Sequence, residues 1–323
     1  MRDQRRRRRS SGGTQPLLVV VVALLSCLVL VATYFLWRSE ASTETATFST
    51  TNRPTSTEPP EPPAPERSQA LKELRSEISR ISKAHAGTQG VVVFDPYSGE
   101  KASLNAGRPF VAASLSKLYA LLTLYKAAAR GEVDLDEEIT MRSSDIWAEG
   151  TGILYRYPPG HTMTLRECAQ FLIKESDNTA EVMLKRYLGE ENIEAELDGI
   201  GAHSTSYWEP NTTTPDDILM VLKKIADPSY TSPELSAEML DIMTDTSFEG
   251  RLAGPLAKEA RVAHKIGSYE STFSDAGIVF PDERGDGASQ EYYIVVFSEG
   301  ALEREAKTAI QDVSLATYQA LSN

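Results

Sequence analysis

Cysteine and histidine are both scarce in this chain. Its 323 residues hold two cysteines, Cys27 and Cys168, too few for a disulfide framework. The four histidines, His85, His161, His203 and His264, are scattered and form neither an HExxH motif nor paired Cys/His ligands. A dedicated zinc site is excluded with them. Positive charge is scarce wherever the chain could fold. Six arginines crowd into residues 1–9, and residues 38–323 carry 27 of the 33 basic but 45 of the 46 acidic groups, a net −18. A body that acidic repels phosphate backbones, so nucleic acid is excluded as a partner. No internal repeat is visible.

The N-terminal stretch reads as an address and a tether. Residues 1–16 form a basic tail. Leu17 to Trp37 then gives 21 uncharged residues, which as a helix rising about 1.5 Å per residue would cross a hydrocarbon core of roughly 30 Å. Arg2 and Arg5–Arg9 precede this segment, so the positive-inside rule keeps the N-terminus cytoplasmic and exports the remainder of the chain. The rivals are a cleaved signal peptide and a lipid-modified Cys27 in Leu24-Leu25-Ser26-Cys27. The first has a shorter apolar region, and the second should stop where ten apolar or weakly polar residues continue. The expectation is an uncleaved, single-pass anchor in the cell membrane. Residues 38–67 are rich in Ser, Thr, Glu and Pro, with six prolines between Pro54 and Pro65. Such a segment cannot bury enough apolar surface to fold and is read as a disordered, extended linker.

Residues 68–323 remain, 256 residues with a net charge of −16, enough for one or two domains with a sizeable core. Leu71, Leu74, Ile78 and Ile81 fall at helical spacing over 68–84, and 90–95 with the stretch after Gly99 reads as a hairpin. Helices are expected at 114–130, Thr164–Lys174, Asn178–Leu188, Thr214–Ala226 and Ser232–Thr244. Two of these carry Pro just after a Thr or Ser cap. Strands at 261–268, 275–281 and 291–298 precede a last helix at about 301–321. Strands at both ends of one domain meet in one sheet, leaving the helical middle as a second lobe and a cleft between them.

Three short motifs bear on chemistry. Ser114-Leu115-Ser116-Lys117 is weak as a pattern, and Ser98-x-x-Lys101 matches it too. Ser114, however, opens a helix that is apolar nearly all round, and a helix without a polar face is buried. A lysine desolvated there tends toward its neutral form and can take a proton from a hydroxyl on the same face. Ser176-Asp177-Asn178 lies between two helices, where Asn178-x-x-Glu181 also reads as a capping box. Lys265-Ile266-Gly267-Ser268 sits in an apparent strand, its charge and open backbone edge suited to a carboxylate and a carbonyl oxygen. A capping serine with a snorkelling lysine and a solvated strand lysine are the structural alternatives.

S-x-x-K on a buried helix, S-D-N between helices and K-x-G on a late strand occur together, in this order, in class A β-lactamases and penicillin-binding proteins. The chain resembles that superfamily, and most closely the class A β-lactamases, over nearly all of 68–323. RPFVAASLSKLYALLTLYKAAARGEVDLDEEI surrounds the first motif, PGHTMTLRECAQFLIKESDNTAEVML the second, and WEP (208–210) and TTTP (212–215) come after them in family order. The resemblance implies an α+β fold of the β-lactamase/transpeptidase type, with an antiparallel sheet of about five strands, terminal helices and an all-helical lobe. It implies an acyl-enzyme on Ser114, Lys117 as base or relay, and Ser176 passing the proton to the leaving nitrogen. Lys265 would hold Ser176, Asn178 would bind the substrate's side-chain amide, and the Ser114 and Ser268 N–H groups beside Gly267 would form the oxyanion hole. No metal or organic cofactor is implied. The expected partner is a β-lactam or a peptidoglycan stem peptide, bound by a monomer.

Two departures stand out. The family's long loop carries a glutamate and an asparagine that hold the deacylating water. Here Glu209 matches the glutamate by its W-E-P setting, but about a dozen residues are missing around it, so acylation could survive while hydrolysis of the ester slows. Ile266 stands where the family usually has Thr or Ser, and a lost buried partner typically costs about 1–3 kcal/mol. A D,D-peptidase-like enzyme is therefore the runner-up. A non-hydrolytic wall-binding or sensor domain is the third reading, against which the intact Ser114, Lys117, Ser176, Asn178 and Lys265 argue. Cys168 reads as a buried structural thiol, and His264 as facing away from the cleft because strand neighbours alternate.

Overall fold

The computed structural model describes residues 65–256, 259–281 and 290–322. The segment Leu17–Trp37 and most of the linker lie outside them. Among the described residues no helix is long and apolar enough to cross a membrane.

The chain begins with α1 (Pro65–Ala84), the hairpin β1 (Thr88–Phe94) and β2 (Lys101–Leu104), and the short β3 (Phe110–Val111). A 3-10 turn, Ala113–Ser116, leads into α2 (Lys117–Ala129). The lobe continues through β4 (Glu138–Thr140), β5 (Thr162–Thr164), α3 (Leu165–Lys174), α4 (Asn178–Leu188), α5 (Glu190–Gly199), β6 (Thr212–Thr213), α6 (Pro215–Ile225) and α7 (Pro233–Ile242). The fold closes with β7 (Arg261–Tyr269), β8 (Thr272–Phe280), β9 (Tyr292–Glu299) and α8 (Glu303–Leu321).

As expected, the terminal strands share one five-stranded antiparallel sheet, in the order β2-β1-β9-β8-β7. Strand periodicity divides its residues between two cores. Val91 and Val93 pack with Leu71, Leu74 and Ile78 of α1 and Ile310 and Val313 of α8. Val92, Val295 and Phe297 face the helical lobe, with Leu118, Leu121 and Leu122 of α2. Both faces are covered, which is why β1 and β9 read as nearly continuous apolar runs rather than as alternation.

Local signals set the helix starts. Thr164, Thr214 and Ser232 accept hydrogen bonds from the third backbone N–H of α3, α6 and α7, and Pro occupies the first turn of the last two. Three differences from the sequence reading appear. Ser114 does not open an α-helix but lies in the 3-10 turn before it. The cap of α4 is Asp177, whose carboxylate accepts from Ala180 N–H, so Asn178 and Glu181 form no capping box. Helix α5 went unforeseen: its sequence EENIEAELDG offers few apolar positions, and only Ile193, Glu196 and Leu197 are buried.

His264 is fully buried on β7, with Nδ1 2.9 Å from Asp275 and Nε2 3.3 Å from Glu249. Burial opposes its protonation, but these carboxylates outweigh that and raise its pKa to about 9. A histidine raised above its unfolded value stabilises the fold fully below about pH 6.5. That contribution is lost as pH rises through about 9. The thermal midpoint is therefore expected to fall between these two pH values, and His264→Gln to abolish most of that slope. A wild-type midpoint flat across the window would sink the assignment.

Candidate active site

The 3-10 geometry gives the first motif its use. With about three residues per turn, positions i and i+3 eclipse, so Lys117 Nζ reaches Ser114 Oγ at 2.9 Å. Ala113 precedes it at φ 48°, a left-handed conformation that L-residues adopt reluctantly. Ser114 stays partly exposed while Lys117 is 0% exposed. The amine also donates to the Ser176 carbonyl at 2.7 Å and Asn178 Oδ1 at 2.6 Å, with Ser176 Oγ at 3.3 Å. Burial lowers its pKa, against the pull of nearby Glu181 and Asp177.

The second motif is a clamp held by its central residue. Asp177 Oδ1 caps α4, while Oδ2 accepts from Ile153 and Leu154 N–H at 2.5 and 2.8 Å. This pins the 151–154 loop beside the motif. Thr151 donates its hydroxyl to the Ser176 carbonyl at 2.6 Å, and Asn178 Nδ2 donates to the Glu149 carbonyl at 2.8 Å. Gly150 and Gly152 are required here, since a Cβ would lie 2.6 Å from Asn178 Nδ2 and 2.3 Å from Asp177 Oδ2. Ser176 itself is 1% exposed at φ 51°.

Strand β7 delivers the third motif. Lys265, 1% exposed, donates to Ser176 Oγ at 2.8 Å. Burial, reinforced by the charge of Lys117, drives its pKa far below the usual lysine value. Gly267 lets the strand touch the Ser114 turn: a Cβ there would lie 2.8 Å from the Ala112 carbonyl and 2.6 Å from Ser274 Oγ. Behind the strand, Arg251 donates to the Gly267 and Ser274 carbonyls at 2.8 and 2.7 Å, and to Ser268 Oγ at 2.6 Å. It is 6% exposed. Ser268 is itself exposed.

Ser114, Lys117, Ser176, Asn178 and Lys265 thus meet through direct hydrogen bonds, with Gly267 and Ser268 beside them. Glu209 does not join them. It is exposed, precedes Pro210 through a cis peptide, and makes no hydrogen bond or ion pair among the described residues. His264 faces the opposite side of β7 from Lys265, and Cys168 is buried with burial raising its thiol pKa. Sequence reasoning missed Arg251, Thr151 and the placement of Glu181. Only tertiary contact distinguishes the first two from ordinary loop residues.

A profile of the beta-lactamase enzyme family matches residues 73–321. The chain belongs to that family. A Bacteroides uniformis beta-lactamase is 25% identical over 282 residues, covering 78% of this chain and 93% of the relative. The solved structure of PBP-A superposes with a TM-score of 0.71 at 29% identity, covering 77% and 96% of the two chains. A leucine-to-glutamate variant of PBP-A, solved as an acyl-enzyme complex with penicillin G, matches equally well. An ancestral class A beta-lactamase, at TM-score 0.70 and 23% identity, shares the fold. This serine beta-lactamase-like hydrolase has its three motifs joined in one hydrogen-bonded cluster. Gly267→Ala is expected to force β7 off the Ser114 turn, costing about 1–3 kcal/mol of stability and most of the acylation rate. Chemical denaturation and stopped-flow acylation check this; a variant equal to wild type in both would refute the close-approach argument.

Proposed function

We propose that Ser114 is the nucleophile that opens β-lactams through an acyl-enzyme, with Lys117 as its base. The observation that carries this is a fully buried amine with a lowered pKa, 2.9 Å from a partly exposed hydroxyl. Neutral Lys117 takes the Oγ proton as Oγ bonds to the carbonyl carbon. The lactam C–N bond breaks and the nitrogen receives a proton through Ser176, held by Lys265. Backbone N–H groups of Ser114 and Ser268 stabilise the oxyanion, where one donor is typically worth about 10²–10³ in rate. Asn178 has one Nδ2 hydrogen on Glu149 and offers the other to the substrate's side-chain amide. Arg251 and Ser268 supply the carboxylate site that Ile266 cannot complete.

Deacylation is the slow step in this reading, because Glu209 is exposed and no partner among the described residues holds it in place. The same observation supports the second reading, a D,D-peptidase-like enzyme on peptidoglycan stem peptides that β-lactams trap. The catalytic domain is placed outside the cytoplasm, held by an anchor at Leu17–Trp37, on the charge and length of that segment. The full chain with a chromogenic cephalosporin is expected to show a stoichiometric burst followed by slow turnover. Ser114→Ala should lose both phases, and Lys117→Met about 10²–10⁴ of the burst rate. Turnover surviving in Ser114→Ala would overturn the assignment. Intact mass of membrane-extracted protein should retain residues 17–37; a species starting after Trp37, or lipidated on Cys27, would contradict the anchor.

A further inference from the structure

Glu181 stands where neither the motifs nor the proposed mechanism uses it. It lies one turn into α4, 8% exposed, a burial that charged residues accept only with partners. One carboxylate oxygen accepts from Ser116 Oγ at 2.8 Å; the other lies 3.5 Å from Lys117 Nζ. Ser116, between the nucleophile and the base in sequence, thereby aims the carboxylate at the base. The exposed loop glutamate offers Lys117 no such contact.

We propose that Glu181 is the positioning carboxylate of the acylation machinery: its fixed negative charge stabilises the ammonium that Lys117 becomes on taking the Ser114 proton. The inference rests on the proposed role of Ser114. Glu181 takes no part in the proton transfer. The proton moves from Ser114 Oγ to Lys117 Nζ and onward to the leaving nitrogen, and Glu181 acts only through the field at Nζ. The other groups facing that nitrogen are accounted for. Asp177 spends its oxygens on three backbone N–H groups. Lys265 contributes an opposing charge through Ser176. Asn178, Ser114 and Ser176 are neutral. Tyr207 lies near Glu181, and burial, with the charges of Glu181 and Glu190 added, raises the pKa of its phenol. Glu181 is thus the carboxylate in direct ion-pair contact with the base.

The test is the pH dependence of single-turnover acylation by benzylpenicillin, in wild type, Glu181→Gln and Glu181→Asp. Removing the charge favours neutral Lys117, so the acidic limb of Glu181→Gln is expected to move down by roughly one to two pH units. The rate on the high-pH plateau should fall, since the ammonium formed in the step has lost its counter-charge. Glu181→Asp keeps the charge one methylene further away and should lie between the two. A Glu181→Gln profile superimposing on wild type in limb and plateau would overturn the inference while leaving the Ser114 reading intact. If Glu181→Gln does not fold, Glu181→Asp decides: a limb displaced downward supports the inference and an unmoved profile refutes it. A wild type forming no Ser114-dependent adduct would remove the reading itself, and this inference with it.

Discussion

Two buried amines share one hydroxyl. Lys117 and Lys265 are 0% and 1% exposed and both reach Ser176 Oγ, at 3.3 and 2.8 Å. Taking either ammonium out of water is costly, and two positive charges on one oxygen penalise each other further. The surrounding structure answers that problem. Glu181 lies beside Lys117, carbonyls of Ser176 and Ile266 accept from the amines, and Asn178 turns its oxygen inward. What strain remains favours a neutral lysine, the form that the proposed base role of Lys117 requires. Stability given up in the cleft thus reappears as reactivity.

Holding those groups together takes three separate pieces of chain. The 3-10 turn eclipses Ser114 with Lys117, Asp177 staples the S-D-N turn to the 151–154 loop, and Gly267 lets β7 approach the turn. Each device constrains backbone: Ala113 and Ser176 both have positive φ. Strain at these two residues of the site fits a geometry set by the packed lobes on either side. Arg251 extends the arrangement, tying Gly267 and Ser268 to Ser274 of the neighbouring strand.

Much of this was legible in the sequence. Helical spacing from Leu71 to Ile81 marked α1, Thr and Ser caps with Pro marked α6 and α7, and strands at both ends implied the sheet. The three motifs named the residues that meet. The rest depends on long-range contact. An alternation-free run such as Val91-Val92-Val93 cannot say which face meets which core. Glu181 fitted a capping pattern just as well as it fits the cleft, and only the choice of Asp177 as cap freed it to turn inward. Glu209 shows the converse, because a motif match says nothing about where a loop points its side chain. Helix α5 escaped because burial of Ile193 and Leu197 leaves too few apolar positions to show a period.

The most direct measurement is a mass time-course of the full chain with benzylpenicillin, followed by peptide mapping of the adduct. The account predicts one penicilloyl group per chain, located on Ser114, appearing faster than it leaves. An adduct on another residue, or hydrolysed drug accumulating with no adduct at any time, would contradict it.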